Sequence, residues 1–135
     1  MSNKPTYVYL IGRQTADGLS GPIKVGIADN LKHRLRALQT GSHHALAIIA
    51  AIALPERRLA AVLEKSMHAA LGADRLVGEW FDVTPFQAAG ILCWATREML
   101  ERAGGSGEEL LDVLEWTGTT DLMGRWMQEQ KRRSH

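Results

Sequence analysis

Four side chains in the first half of this sequence have the chemistry to act on phosphate: the phenol of Tyr9, the ammonium of Lys24, the guanidinium of Arg34 and the carboxylate of Glu64. A guanidinium grips phosphate oxygens through paired N–H bonds, whereas a lysine meets them as a point charge. One carboxylate, with waters and a substrate phosphate, is a sufficient ligand set for Mg²⁺ or Mn²⁺. His68 follows Glu64 by four residues, so a helix would carry both on one side. Hydrolysis of a phosphodiester would use such groups. A water must be oriented and deprotonated, charge on the phosphoryl oxygens offset, and the leaving oxygen stabilised. Each residue alone also has a bland reading: a strand aromatic, a solvated strand lysine, a surface arginine, an exposed Glu/His pair.

The elements that must position these groups are legible in the patterning. Tyr7-Val8-Tyr9-Leu10-Ile11 alternates and is aromatic and β-branched, which predicts a strand with Tyr7, Tyr9 and Ile11 on one face. Ile23-Lys24-Val25-Gly26-Ile27 predicts a second strand, antiparallel to the first, in which Gly26 permits a close approach. Residues 12–22, with three glycines and a proline, read as the loop between them. Asp29 or Asn30 can cap a helix with Leu31, Leu35 and Leu38 on its apolar side, carrying His33, Arg34 and Arg36 and ended by Gly41. Residues 45–54 predict a third strand. Pro55 suits the first turn of a helix running to about Leu71, with Leu59, Val62, Leu63, Met67 and Ala70 as its core stripe and Glu64 at the stripe's edge. Trp80-Phe81-Asp82-Val83 is short and extended, and Thr84 caps a helix over 85–102. Gly104-Gly105-Ser106-Gly107 is a linker, and beyond it two short helices are expected over 108–116 and 120–132. The expected architecture is α+β: a small three-stranded antiparallel sheet flanked by helices over residues 1–103, then a helical extension over 104–135.

Composition sets bounds on function. A chain of 135 residues makes one domain with at most a short appendage. A single cysteine, Cys93, excludes an internal disulfide framework and a Cys-based zinc site. The longest apolar run, residues 45–54, is too short to span a bilayer, and residues 2–6 are polar, so a cytoplasmic protein without a membrane partner is expected. Charge is uneven: residues 1–60 hold eight Lys/Arg against three Asp/Glu, and residues 61–135 hold eight against twelve. A basic first half attracts polyanions and permits a nucleic-acid partner without demanding one.

In order and spacing, Tyr7-Val8-Tyr9, Lys24-Val25-Gly26, Arg34, Glu64 and Gly78-Glu79-Trp80-Phe81 resemble the GIY-YIG nuclease superfamily, in the compact form common among phage and bacterial proteins. The resemblance covers roughly residues 6–85. It implies a metal-dependent endonuclease that cuts DNA by attack of water on phosphorus, with Mg²⁺ or Mn²⁺ as cofactor. It further implies catalytic roles for Tyr9, Lys24, Arg34 and Glu64. Tyr9 stands in the place of the first motif's tyrosine, as general base or positioner of the water. A phenol with a pKa of about 10 needs a neighbouring cation for the former role, and Lys24 is the candidate. Lysine replaces the second tyrosine of the family name, which is the main departure. Arg34 falls at the spacing of the charge-offsetting arginine, and Glu64 at that of the metal ligand. Tyr7, Gly26, His33, His68 and Glu79 are further candidates, while Trp80 or Phe81 is expected to pack against the sheet. The asparagine that many of these enzymes place late in the domain has no evident match.

Two other readings stay open at this point. The fold can persist without catalysis, as a DNA-binding or protein-interaction module. Alternatively, Leu110, Leu111, Leu114, Leu122, Trp126 and Met127 can give the C-terminal helices apolar sides through which the chain forms a homodimer.

Overall fold

The computed structural model describes residues 4–102 and the backbone of Trp116 and Thr117. Strands β1 (Thr6–Thr15) and β2 (Gly18–Ala28) form one long antiparallel ribbon that reverses at Ala16 and Asp17. The loop expected over 12–22 is therefore mostly strand. The glycines that suggested a loop include two placed by packing: a Cβ on Gly12 would lie 2.7 Å from the Ser20 carbonyl oxygen, and one on Gly21 would fall on the carbonyl of Val83. Only Gly18, at φ +114, takes a conformation that the reversal requires. The Thr15 hydroxyl closes the turn by donating to the Gly18 carbonyl at 2.8 Å.

Strand β3 (Leu46–Leu54) pairs antiparallel with the other edge of β1. Two-residue strands extend the sheet: β4 (Trp80–Phe81) beside β2, and β5 (Trp116–Thr117) beside β3, in the order β4-β2-β1-β3-β5. The sheet is thus wider than the three strands expected, although three long strands carry it. Trp116, the last residue of the helix expected over 108–116, is in a strand. The rest of that helix, the helix over 120–132 and the apolar sides offered for dimerisation lie outside the described residues.

The sheet is covered on both faces. On one, Val8, Leu10, Ile23, Val25 and Ile52 pack against Leu63 and Met67 of α2 (Arg57–Ala70) and Ala88 and Leu92 of α3 (Pro85–Arg102), all wholly buried. On the other, Tyr9, Ile11, Ala28 and Ala51 meet Leu31, Leu35 and Leu38 of α1 (Leu31–Thr40). Of the two residues expected to cap α1, Asp29 or Asn30, it is Asn30 that does so, its side chain accepting the His33 N–H at 3.0 Å. Thr84 and Gln87 cap α3 reciprocally, the Gln87 N–H donating to the Thr84 hydroxyl at 3.1 Å and the Thr84 N–H to the Gln87 amide oxygen at 3.0 Å. Pro55 lies before the α2 cap, Glu56, rather than in the first turn. The core side of α2 is Ala60, Leu63 and Met67, and Val62 is 48% exposed, so the stripe is narrower than expected. Among the described residues no helix is long and apolar enough to cross a membrane.

Candidate active site

The site lies where α2 and the segment before β4 converge on the outer edge of β2. Strand β4 pairs with β2 only at Ile23 and Lys24, and just past that ladder the Val25 N–H donates to the Glu79 carbonyl at 3.2 Å. The carbonyl of Val25 accepts from Nε2 of His68 at 3.0 Å. A carbonyl can only accept, so Nε2 carries the proton and Nδ1 is left to accept from the Arg75 guanidinium at 3.4 Å. The imidazole also lies against the ring of Phe81, with centroids 5.2 Å apart. His68 therefore fixes α2 to the sheet edge, and Glu64, one turn earlier, comes with it. As a result, ligating atoms of Glu64, His68 and Glu79 all lie within 4.8 Å of one another.

Tyr9 occupies the central strand directly opposite Gly26 and is 1% exposed. Its ring lies across the glycine: a Cβ at position 26 would fall on the phenol oxygen and 2.6 Å from Cζ. Lys24 is on the same face, two residues along, and its Nζ is 3.1 Å from a carboxylate oxygen of Glu79. Burial pushes the Tyr9 phenol up to about 12; the Arg34 charge opposes this, and the carboxylates of Glu79 and Glu64 add to it. The cation that acts on Tyr9 is thus Arg34, whereas the expected one, Lys24, is paired with Glu79. Burial, and then repulsion from Glu79, hold the Glu64 carboxyl above the usual carboxylate range, with His68, Lys24 and Arg57 opposing. Two carboxylates this close, one of them reluctant to ionise, form a site that a cation would stabilise.

The model of the T5orf172 domain family matches residues 6–96, from the first residue of β1 to well inside α3. The chain belongs to the T5orf172 domain family. Comparison with curated proteins and with solved structures found no match. The T5orf172 match extends past the 6–85 expected from the motifs and contains every residue named above.

The T5orf172 domain brings some expected residues together and leaves others apart. Glu64, His68 and Glu79 cluster, Lys24 joins them through Glu79, and Tyr9 lies within the field of Arg34, Glu79 and Glu64. Arg34 and His33 are exposed on α1, the latter contributing its backbone N–H to the Asn30 cap. Tyr7 is partly buried against the α1-side core, opposite Ala28 and away from the carboxylates. Arg75 is the residue that sequence reasoning missed. Its guanidinium lies 5.5 Å from the Phe81 ring centroid and engages His68, a contact created by the 3-10 turn Gly72–Asp74 that no spacing announces.

A hard divalent ion fits the donor set in part. The two carboxylates suit Mg²⁺ or Mn²⁺. Both nitrogens of His68 are already engaged, so the imidazole serves as the frame that holds Glu64 in place rather than as a third ligand.

Proposed function

We propose that this protein is a metal-dependent endonuclease of the GIY-YIG type, hydrolysing DNA phosphodiester bonds by attack of water. The observation that carries the reading is the gathering of Glu64 and His68 of α2 and Glu79 before β4 within 4.8 Å, beside the Tyr9–Gly26 pair of β1 and β2. The T5orf172 family is associated with nuclease-like function, which supports the same conclusion. Glu64, with Glu79 beside it, would hold Mg²⁺ or Mn²⁺, which when bound offsets charge on the phosphoryl oxygens. Tyr9, pushed up to about 12, keeps its proton at neutral pH and orients the water through its hydroxyl. The water's oxygen bonds to phosphorus as the P–O bond to the leaving oxygen breaks, and the water's proton passes through solvent to that oxygen. Arg34 is exposed and free to swing, so it grips the phosphate and offsets its charge. Lys24 contributes a second cation once its carboxylate partner is drawn elsewhere. Lys32, Arg34 and Arg36 on the exposed side of α1 supply a backbone-binding surface for the DNA.

The test is a nicking assay on supercoiled plasmid and branched oligonucleotides with Mg²⁺ or Mn²⁺, comparing wild type with Glu64→Ala. Metal-dependent cutting that disappears in the variant supports the reading. A second reading is favoured by the Lys24–Glu79 ion pair, which ties up the group standing in the second tyrosine's place: a DNA-binding module that has lost catalysis. Salt-sensitive DNA binding unchanged by Glu64→Ala, with no cutting in either metal, would select it.

A further inference from the structure

Adjacent aromatic residues at the site have opposite environments. Phe81 is wholly buried against the core, but its neighbour Trp80 is only partly buried and faces the other side of the sheet. Trp80 is directly opposite Lys24, and Lys24 is opposite Ile11, so a cross-strand row runs outward on the face that carries Tyr9. Helix α1 covers Tyr9 and Ile11 at the inner end of this face. Towards the edge the face continues with Trp80, whose ring centroid is 5.7 Å from Lys24 Nζ.

Beyond Trp80 the chain folds into a tight reversal. The Leu76 N–H donates to the Trp80 carbonyl at 2.9 Å, the Trp80 N–H donates to the Val77 carbonyl at 3.0 Å, and Gly78 sits at φ +59. Arg75 bridges to Phe81 on the core side, so alternation places Leu76 on the side of Trp80. Leu76 is 53% and Val77 77% exposed. Leu76 is thus displayed by a pinned turn on the same side as a partly open indole, which directly follows Glu79 in the chain.

We infer that Trp80 and Leu76 form a stacking platform for one unstacked base of the DNA, next to the phosphate held at Glu64 and Arg34; this rests on the endonuclease reading above. The chemistry matches a nucleotide rather than a protein surface. An aromatic face takes any base, the adjacent Lys24 and the basic side of α1 take the flanking phosphates, and the core of a protein interface would be depleted in such charges. A platform of this kind requires the base to leave its stack, so it favours DNA that is branched, frayed or single-stranded near the cut.

The experiment measures binding of a fluorescent branched oligonucleotide in Ca²⁺, to prevent cutting, with single abasic sites scanned across the strand. In the wild-type protein one abasic position beside the cut bond should weaken binding roughly 5- to 150-fold, the range for loss of one base–aromatic stack. Trp80→Ala should cause the same loss on intact DNA and no further loss on that abasic strand, and Trp80→Phe should stay within about three-fold of wild type. The salt dependence should be unchanged in Trp80→Ala and reduced in Arg34→Ala. If the strand binds but the abasic scan is flat, the platform is wrong and the endonuclease reading survives. Equal losses for Trp80→Ala on intact and abasic DNA also overturn it, as does Leu76→Ser weakening binding while Trp80→Ala does not. No binding of any DNA by the wild-type protein overturns both readings.

Discussion

Substituting alanine for Gly26 probes the closest approach in the site. The new Cβ would clash with the Tyr9 hydroxyl and lie 2.6 Å from Cζ and 3.2 Å from Cε2. Tyr9 is 1% exposed, between α1 and the sheet, so its ring has little room to retreat. Overpacking of this kind costs about 1–3 kcal/mol. Against it stands a gain of about 0.4–1 kcal/mol, because alanine has less unfolded-state freedom than glycine. The net expectation is destabilisation by about 1–2 kcal/mol. Urea unfolding followed by circular dichroism measures it, with cleavage assayed in parallel because, on the endonuclease reading, a displaced hydroxyl cannot orient the water. The decisive comparison is the same substitution in a Tyr9→Leu background. Leucine lacks the atoms that a Cβ at position 26 would strike, so Gly26→Ala should there become neutral or stabilising by about 0.5 kcal/mol. If Gly26→Ala destabilises both backgrounds equally, the glycine serves something other than the tyrosine and the reasoning fails.

Other perturbations follow from the same geometry. The raised pKa of Tyr9 means that the folded protein holds the phenolic proton more tightly than the unfolded chain, whose value is 10.0; stability from this source should be lost between about pH 10 and 12, and Tyr9→Phe should remove that part of the alkaline transition. Glu64 is also raised, so without metal its ionisation opposes folding as pH climbs; Glu64→Gln should flatten the pH dependence seen by thermal melting, and Mn²⁺ should stabilise wild type but not the variant. Mn²⁺ binding followed by electron paramagnetic resonance should weaken on acidification as Glu64 takes up a proton, and Glu79→Gln should shift that transition to lower pH by removing the repulsion. Gly78→Ala meets no neighbouring atom but forces a left-handed alanine, so it should cost about 1–2 kcal/mol in denaturant titration.

Much of the scaffold is legible in the sequence because its signals are local. Alternation in residues 7–11, the Asn30 cap and the Thr84 cap each act within four residues, and each produces the element it announces. The failures are where a residue's role depends on a distant partner. The glycines at 12 and 21 read as turn formers because nothing local says that the Ser20 and Val83 carbonyls lie against them. Ala60 is part of the core side of α2 while Val62 faces solvent, since a small residue gives little hydrophobic signal even where the helix touches the sheet. In the site, the resemblance to the GIY-YIG motifs suggested Glu64 and Glu79, and helical spacing put His68 beside Glu64. What neither could convey is that the carbonyl of Val25 and the guanidinium of Arg75 engage both nitrogens of His68, or that Lys24 is paired with Glu79 rather than serving Tyr9.

The placement of Tyr9 on the middle strand divides the site into two regimes of motion. The backbone of β1 is hydrogen-bonded to β2 on one side and β3 on the other, and its residues 8–11 are at most 1% exposed. Amides in such a strand exchange with solvent only through the rarest openings of the domain, so the backbone that carries Tyr9 is the least mobile part of the site. Arg34 on the outer side of α1, and Lys24 and Glu79 at the sheet edge, can rearrange at local cost on much shorter timescales. On the endonuclease reading, one half of the site is therefore held fixed and the other half is able to adapt to a substrate. A core substitution far away, on α3 for instance, acts on Tyr9 chiefly by raising the population of unfolded chains. On the same reading its signature in a cell would be fewer active molecules, each cutting at close to the normal rate.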